Sequence, residues 1–415
     1  MPHTPPHPAA NRPGSARASQ LAALFAIALL AGCGSSDSGP EVAPPLPLAP
    51  GAWTQLTPAA VEIDGQLLTP TCSKAPGSKS AFHFWAKRGT ADKLVVFFEG
   101  GGACWDSGTC SFPITASTAP GVPALYKAEI LASDNPTTMS GIFKLDDPRN
   151  PLKDWSFVYV PYCTGDIHSG SKTASYTSVT TGQPYTIEHR GADNFKVIAK
   201  WIGDNFNLPE QVLVTGTSAG AYGAMTHYPR IRTMFPKAQA AVLGDAGQGV
   251  TPASFDALRN SNWNFQLDAR VYGATPQATA SSEIVRKLAA FYPADRIGQY
   301  TTANDLTQMQ FYDVQVNGLT GTQGTACKAW TDGMLAGLAA NQPAANYRSY
   351  LAAGTTHTLL RGTSPDAAGV PLFFRESSGG SAFTDWLAAM VSPSGAGWDN
   401  KACTNCTTLP IACPF

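Results

Sequence analysis

Six runs of five or six mostly apolar residues punctuate the chain: Lys93–Phe98 (KLVVFF), Ser156–Val160 (SFVYV), Gln211–Thr215 (QVLVT), Ala238–Leu243 (AQAAVL), Arg296–Thr301 (RIGQYT) and Tyr347–Leu351 (YRSYL). Each is followed by Gly, Asp or a cluster of turn residues. Apolar runs this short, with little polar alternation, predict strands buried on both faces. Between several of them the apolar positions recur at helical spacing, most clearly in Asn194–Ile202 (NFKVIAKWI), and residues 219–234 read as a second helix. Strands alternating with helices predict an α/β fold, a mostly parallel sheet with crossover helices on both faces. Residues 105–150 and 251–290 are too long for simple connections and are expected to be insertions over the ligand-binding edge of the sheet.

A different pattern marks the N-terminus. After Arg12 and Arg17, Leu21–Gly32 (LAALFAIALLAG) is unbroken apolar sequence. That length suits a signal-peptide core and falls short of the roughly 20 residues a spanning helix needs. It ends in Leu30-Ala31-Gly32-Cys33, which resembles the lipobox of bacterial lipoproteins, where small residues admit the signal peptidase and the Cys thiol takes a diacylglycerol. The organisation expected is a lipoprotein-type signal peptide over 1–33, a Pro- and Ser-rich tether over 34–50 and one catalytic domain over 51–415. The alternative is an ordinary signal peptide with Cys33 incidental. Either reading exports the protein, to the periplasm or the cell exterior, with a membrane attachment only through the lipid on Cys33.

Composition narrows the chemistry. Only 14% of residues are charged and the net charge is -1. No basic stripe offers itself to nucleic acid and no acidic block forms a solvated tail. Nine cysteines less Cys33 leave eight, an even number that permits up to four disulfides in an oxidising compartment. Cys403 and Cys406 lack the second Cys pair or nearby His that zinc requires, so a bridged C-terminal tail is expected. Cys104 and Cys110 are close enough to staple one loop. Neither a metal nor a cofactor is expected, and the chain is read as a monomer.

The candidate chemistry lies in Val212–Gly223, VLVTGTSAGAYG. Gly216-Thr217-Ser218-Ala219-Gly220 has the G-x-S-x-G form. After a buried strand and before a helix of small residues, it predicts a sharp turn that lifts the Ser218 hydroxyl above the sheet edge. A serine needs a base. His357, in a Gly/Thr turn after the last strand, is expected to be that base, with His168 the second candidate. The acid that orients the imidazole should lie between Ser and His in sequence. Asp305 follows the penultimate strand and is favoured over Asp245, which ends the strand after the serine helix. Phe98-Glu-Gly-Gly-Gly-Ala-Cys104 leaves a strand through three glycines. One of its N–H groups, with that of Ala219, is expected to bind the oxyanion.

FFEGGGACW, VPYCTGDIHSG, GTSAGAYG and LGDAG, in this order, resemble the pectin acetylesterase family, which also contains the animal Notum carboxylesterases. The resemblance runs from about Leu94 to His357. It implies an α/β-hydrolase fold, a triad carried by Ser218, Asp305 and His357, and oxyanion donors at Gly101 or Gly102 and at Ala219. It also fits a Cys104–Cys110 disulfide. The sequence departs from the family in having Ala103 where Trp is common and GTSAGA at the turn, which leaves the acyl pocket and polymer groove open.

The substrate expected is an ester, polymeric or oligomeric. Deacetylation of a polysaccharide is the first reading and hydrolysis of an extracellular polyester of the polyhydroxyalkanoate type the second. A surface-anchored binding protein with an inactive site is the reading from another class. Trp105 and Trp263 are expected to touch substrate. Phe112, Phe265, Phe291 and Tyr292 would line the same pocket or belong to the core.

Overall fold

Apolar side chains on both sides of a strand need covering from both sides, and the protein supplies two layers of helix and loop. In a computed structural model, which describes residues 48–319, 325–362, 365–404 and 406, the main sheet contains β1 (Trp53–Leu56), β2 (Phe84–Lys87), β3 (Lys93–Phe98), β4 (Ser156–Val160), β5 (Gln211–Thr217), β6 (Gln239–Asp245), β7 (Arg296–Thr302), β8 (Tyr347–Ala352) and β9 (Lys401–Ala402). Their spatial order is β1-β2-β4-β3-β5-β6-β7-β8-β9. From β4 to β9 every neighbouring pair is parallel. Only β2, next to the edge strand β1, runs against the others, antiparallel to both its neighbours β1 and β4. The α/β class with a mostly parallel sheet is therefore the observed one.

The covering helices are α1 (Gly191–Asn205), α2 (Ala219–Met234), α3 (Ala253–Trp263), α4 (Ile284–Phe291), α5 (Leu306–Asn317), α6 (Thr325–Asn341) and α7 (Phe383–Val391). Strand β3 shows how the layers divide. Its Leu94, Val96 and Phe98 pack with Phe195 and Ile198 of α1 and Tyr228 of α2. The alternate residues, Val95 and Phe97, pack with Trp386 and Met390 of α7 and with Phe143. Period-two alternation sends one set to each core.

The six expected strands are all present, and four of them run one to two residues further. Strands β1 and β2 escape the pattern because each has only four residues: β1 is partly exposed with polar positions, and β2, though buried through Phe84, Trp85 and Ala86, is too short for a run of its own. His189 is the last residue of a hairpin strand, Pro184–His189, paired with Lys172–Thr177. The chain turns into α1 two residues later.

Disulfides between described residues join Cys72 to Cys163, Cys104 to Cys110 and Cys403 to Cys406. The expected leader and tether, Cys33 included, lie outside the described residues except for 48–50. Among the described residues no helix is long and apolar enough to cross a membrane.

Candidate active site

Strand β5 ends in Gly216 and Thr217, and the chain reverses into α2 within one residue, Ser218. That residue holds φ 55° and ψ -123°, a setting that a side-chain-bearing residue adopts only under constraint. Two close approaches impose it. A Cβ on Gly216 would lie 2.3 Å from the Gly220 carbonyl oxygen, and one on Gly220 would lie 2.0 Å from that of Phe98. The Ser218 N–H donates to the Asp245 carbonyl at 2.7 Å. The side chain is thereby fixed at the N-terminus of α2, where the helix dipole favours negative charge.

His357 follows β8, and its loop is tied to the sheet edge. The Thr302 hydroxyl donates to the Thr356 carbonyl at 3.0 Å, and the N–H groups of Leu359 and Leu360 both donate to Asp245 Oδ2 at 2.7 Å. Asp305 follows β7, caps α5 by accepting from the Gln308 N–H at 3.0 Å, and takes a further bond from Gln308 Nε2 at 2.9 Å. Its two oxygens accept from His357 Nδ1 at 2.9 and 2.8 Å. With the proton on Nδ1, the Nε2 lone pair is left for other work. Nε2 is buried without a hydrogen-bond partner among the described residues. Burial pulls the imidazole pKa down, but the Asp305 carboxylate, as charge and as acceptor, and Asp245 more distantly, raise it overall above the ordinary histidine value.

The aspartates divide as their surroundings dictate. Asp305 faces the imidazole. Asp245 is wholly buried, its pKa pushed up to about 7 chiefly by desolvation, and it braces the histidine loop. His168, the second base candidate, is also buried. Its Nε2 bonds the Glu99 carbonyl at 2.7 Å, desolvation pushes its pKa down to about 4, and the ring packs against Gly223 of α2. It supports the turn from beneath.

The glycine loop offers one N–H in particular. The Lys127 N–H donates to the Gly101 carbonyl at 2.8 Å. In a trans peptide the following N–H, that of Gly102, points the opposite way. Gly102 has φ +72°, and a Cβ there would meet the Leu125 carbonyl oxygen at 2.0 Å, so only glycine fits. Among the described residues neither Gly102 nor Ala219 gives its N–H to a backbone acceptor.

Gly102, Ala219, Ser218 and His357 line one cavity that opens to solvent. Gly101 does not line it. Its walls are largely aromatic: Tyr222, Phe255, Phe311, Tyr312 and Trp330. The expected substrate contacts Trp105 and Trp263 are a correction, since neither lines the cavity. Trp263 is fully buried and donates Nε1–H to the Cys104 carbonyl at 2.9 Å, and Trp105 stacks edge-on behind Phe255. Both hold the wall from behind. Phe265 is core and Phe291 is exposed on α4. Sequence reasoning missed the α5 face. Thr307, Gln308, Phe311, Tyr312 and Gln315 recur at helical spacing directly after Asp305, and that position was the available signal. Among the described residues the one cluster with metal-ligand spacing is Cys104, Cys110 and His189. Its two sulfurs are bonded to each other, which leaves no thiolate pair for an ion.

A pectinacetylesterase family model matches residues 70–370. Among curated proteins the chain is similar to pectin acetylesterase 11 of Arabidopsis thaliana, 28% identical over 175 residues, which are 41% of each chain. It is also similar to the palmitoleoyl-protein carboxylesterase NOTUM of Drosophila melanogaster, 27% identical over 232 residues, 52% of this chain and 29% of that one. The chain spans less than half the length of these relatives. Among solved structures, that of the Wnt deacylase Notum from Drosophila aligns over 77% of this chain and 91% of its own, with a TM-score of 0.50 and 18% identity. That likeness is one of fold.

Proposed function

The chain belongs to the pectinacetylesterase family, and from that premise we propose that it hydrolyses carboxylic esters through an acyl-enzyme formed on Ser218. The observation that carries this reading is the His357 imidazole, held by Asp305 at Nδ1, with its unpartnered Nε2 in the same cavity as Ser218. The Ser218 hydroxyl attacks the ester carbonyl while His357 Nε2 takes its proton. The tetrahedral oxyanion is received by the N–H groups of Gly102 and Ala219 and by the N-terminus of α2. His357 then returns the proton to the leaving alcohol. Water repeats the sequence on the acyl-enzyme, and the carboxylic acid leaves. Asp305 keeps the Nδ1 tautomer and stabilises the imidazolium.

Polysaccharide deacetylation is the substrate reading that the family supports first. A second reading has its own observation. The cavity beside Ser218 is walled by aromatic side chains, and each further methylene buried against them contributes about 0.8 kcal/mol. An ester with a longer acyl part, such as an extracellular polyester, uses that wall. The disulfides and the lipobox at Cys33 support an exported protein, anchored through that cysteine.

The test is kcat/KM of the purified domain on p-nitrophenyl esters from acetate to octanoate, with Ser218→Ala as control. A sharp acetate preference supports deacetylation, and activity that rises with chain length supports the larger acyl group. A wild type as inactive as Ser218→Ala, and inert to a fluorophosphonate, would leave the protein a binding module.

A further inference from the structure

Beneath the glycine loop lie four charged side chains that the esterase mechanism does not use. Glu99, fully buried, directly precedes Gly100-Gly101-Gly102. Its Oε1 accepts from Lys127 Nζ at 2.7 Å and from Arg361 Nη1 at 2.9 Å, and its Oε2 accepts from the Tyr162 N–H at 3.0 Å. Lys127 also bonds Asp134, and Arg361 Nη2 reaches Asp134 Oδ1 at 3.4 Å. Two carboxylates and two cations balance, with the Tyr159 hydroxyl buried beside them.

The chain positions of these residues are informative. Glu99 starts the loop that offers the Gly102 N–H. The Lys127 backbone fixes the Gly101 carbonyl, and its side chain packs under Gly101, where a Cβ would lie 2.7 Å from Lys127 Cδ. Arg361 stands four residues after His357, just beyond the two N–H groups that Asp245 holds. One buried cluster therefore ties the oxyanion side of the site to the base side. Burying three charges fully and Arg361 in part is a poor way to gain stability, since packed apolar residues serve as well or better. It does fix relative position, because each partner's geometry is directional.

We propose that Glu99 and Arg361 are positioning residues, which through this cluster set the distance between the Gly102 N–H and the His357 imidazole. The proposal rests on the esterase reading, because it needs both groups to act on one transition state. Neither side chain lines the cavity, so their loss should disturb the rate and spare binding.

The experiment measures kcat, KM and the rate of Ser218 phosphonylation by a fluorophosphonate for the wild type, Arg361→Met, Arg361→Lys and Glu99→Gln, with a thermal melt for each. Loss of alignment by a fraction of an ångström to an ångström predicts that kcat and phosphonylation fall together by about 10- to 100-fold in Arg361→Met and Glu99→Gln, with KM little changed. Arg361→Lys, which keeps the charge, should recover part of the rate. Should Glu99→Gln fail to fold, the Arg361 pair still decides, because that side chain is 23% exposed. Wild-type kcat and phosphonylation in a destabilised Arg361→Met would make the cluster a purely structural one. A raised KM at constant kcat would make Arg361 a substrate contact. Either result overturns the proposal. A wild type that resists phosphonylation fails the esterase reading itself, and the proposal with it.

Discussion

Asp305 and Asp245 are both buried carboxylates at the ends of neighbouring strands, and what each one touches separates them. Asp305 accepts from an imidazole and Asp245 from two peptide N–H groups. Asp305→Asn removes the charge that favours the imidazolium and puts a donor opposite Nδ1. We expect kcat to fall by about 10³- to 10⁴-fold. The sign of the pH effect follows from the shift. His357 must be neutral to act, so kcat/KM rises with pH through a pKa held above the ordinary histidine value. Without the Asp305 carboxylate that limb moves to lower pH, which a pH-rate profile of the two proteins would register. Gly102→Ala tests the oxyanion donor at the same scale. The substituted loop must move away from Leu125, and loss of one donor lowers kcat by about 10²- to 10³-fold. An unchanged kcat would remove Gly102 from the site.

Helix α5 does two jobs at the scale of an element. Its first turn is capped by Asp305, so the residue that orients the imidazole also fixes where the helix begins. One face, through Phe311, Tyr312 and Gln315, then walls the cavity. Acid and acyl wall are thereby coupled in position. Phe311→Ala enlarges the cavity without touching the hydrogen-bonded groups. The ratio of octanoate to acetate kcat/KM should rise by about 10-fold or more, since one methylene in an apolar pocket is worth about 1–3 kcal/mol. A ratio that does not move would place the acyl group elsewhere.

The disulfides act on the whole molecule. Cys72–Cys163 spans 91 residues and joins the segment before β2 to the end of β4. In the chain-entropy account a closed loop of that size contributes about 4.6 kcal/mol by restricting the unfolded chain. The Cys72→Ser, Cys163→Ser double variant should therefore melt well below the wild type while keeping Ser218-dependent activity at low temperature. Cys104–Cys110 closes only a short loop after the glycines, behind which Trp263 donates to the Cys104 carbonyl. Its loss should bear on the cavity wall more than on global stability.

The amino-acid sequence by itself determined the strands, because runs such as KLVVFF fit only a doubly covered sheet, and it determined the turn at Ser218, because Gly216 and Gly220 are local necessities. Chain order was enough to favour Asp305 over Asp245 and His357 over His168. Strands β1 and β2 were not legible, since four residues each leave too short a pattern. Only the tertiary structure decided what lines the cavity: Trp105 and Trp263 have the right chemistry and stand one layer too deep, while Phe311 and Trp330 reach it from α5 and α6, about 90 residues and more beyond Ser218. It alone brought Glu99, Lys127, Asp134 and Arg361 into one cluster. Local rules reach a few residues along the chain, whereas a pocket or a buried ion network is made where segments hundreds of residues apart are packed together.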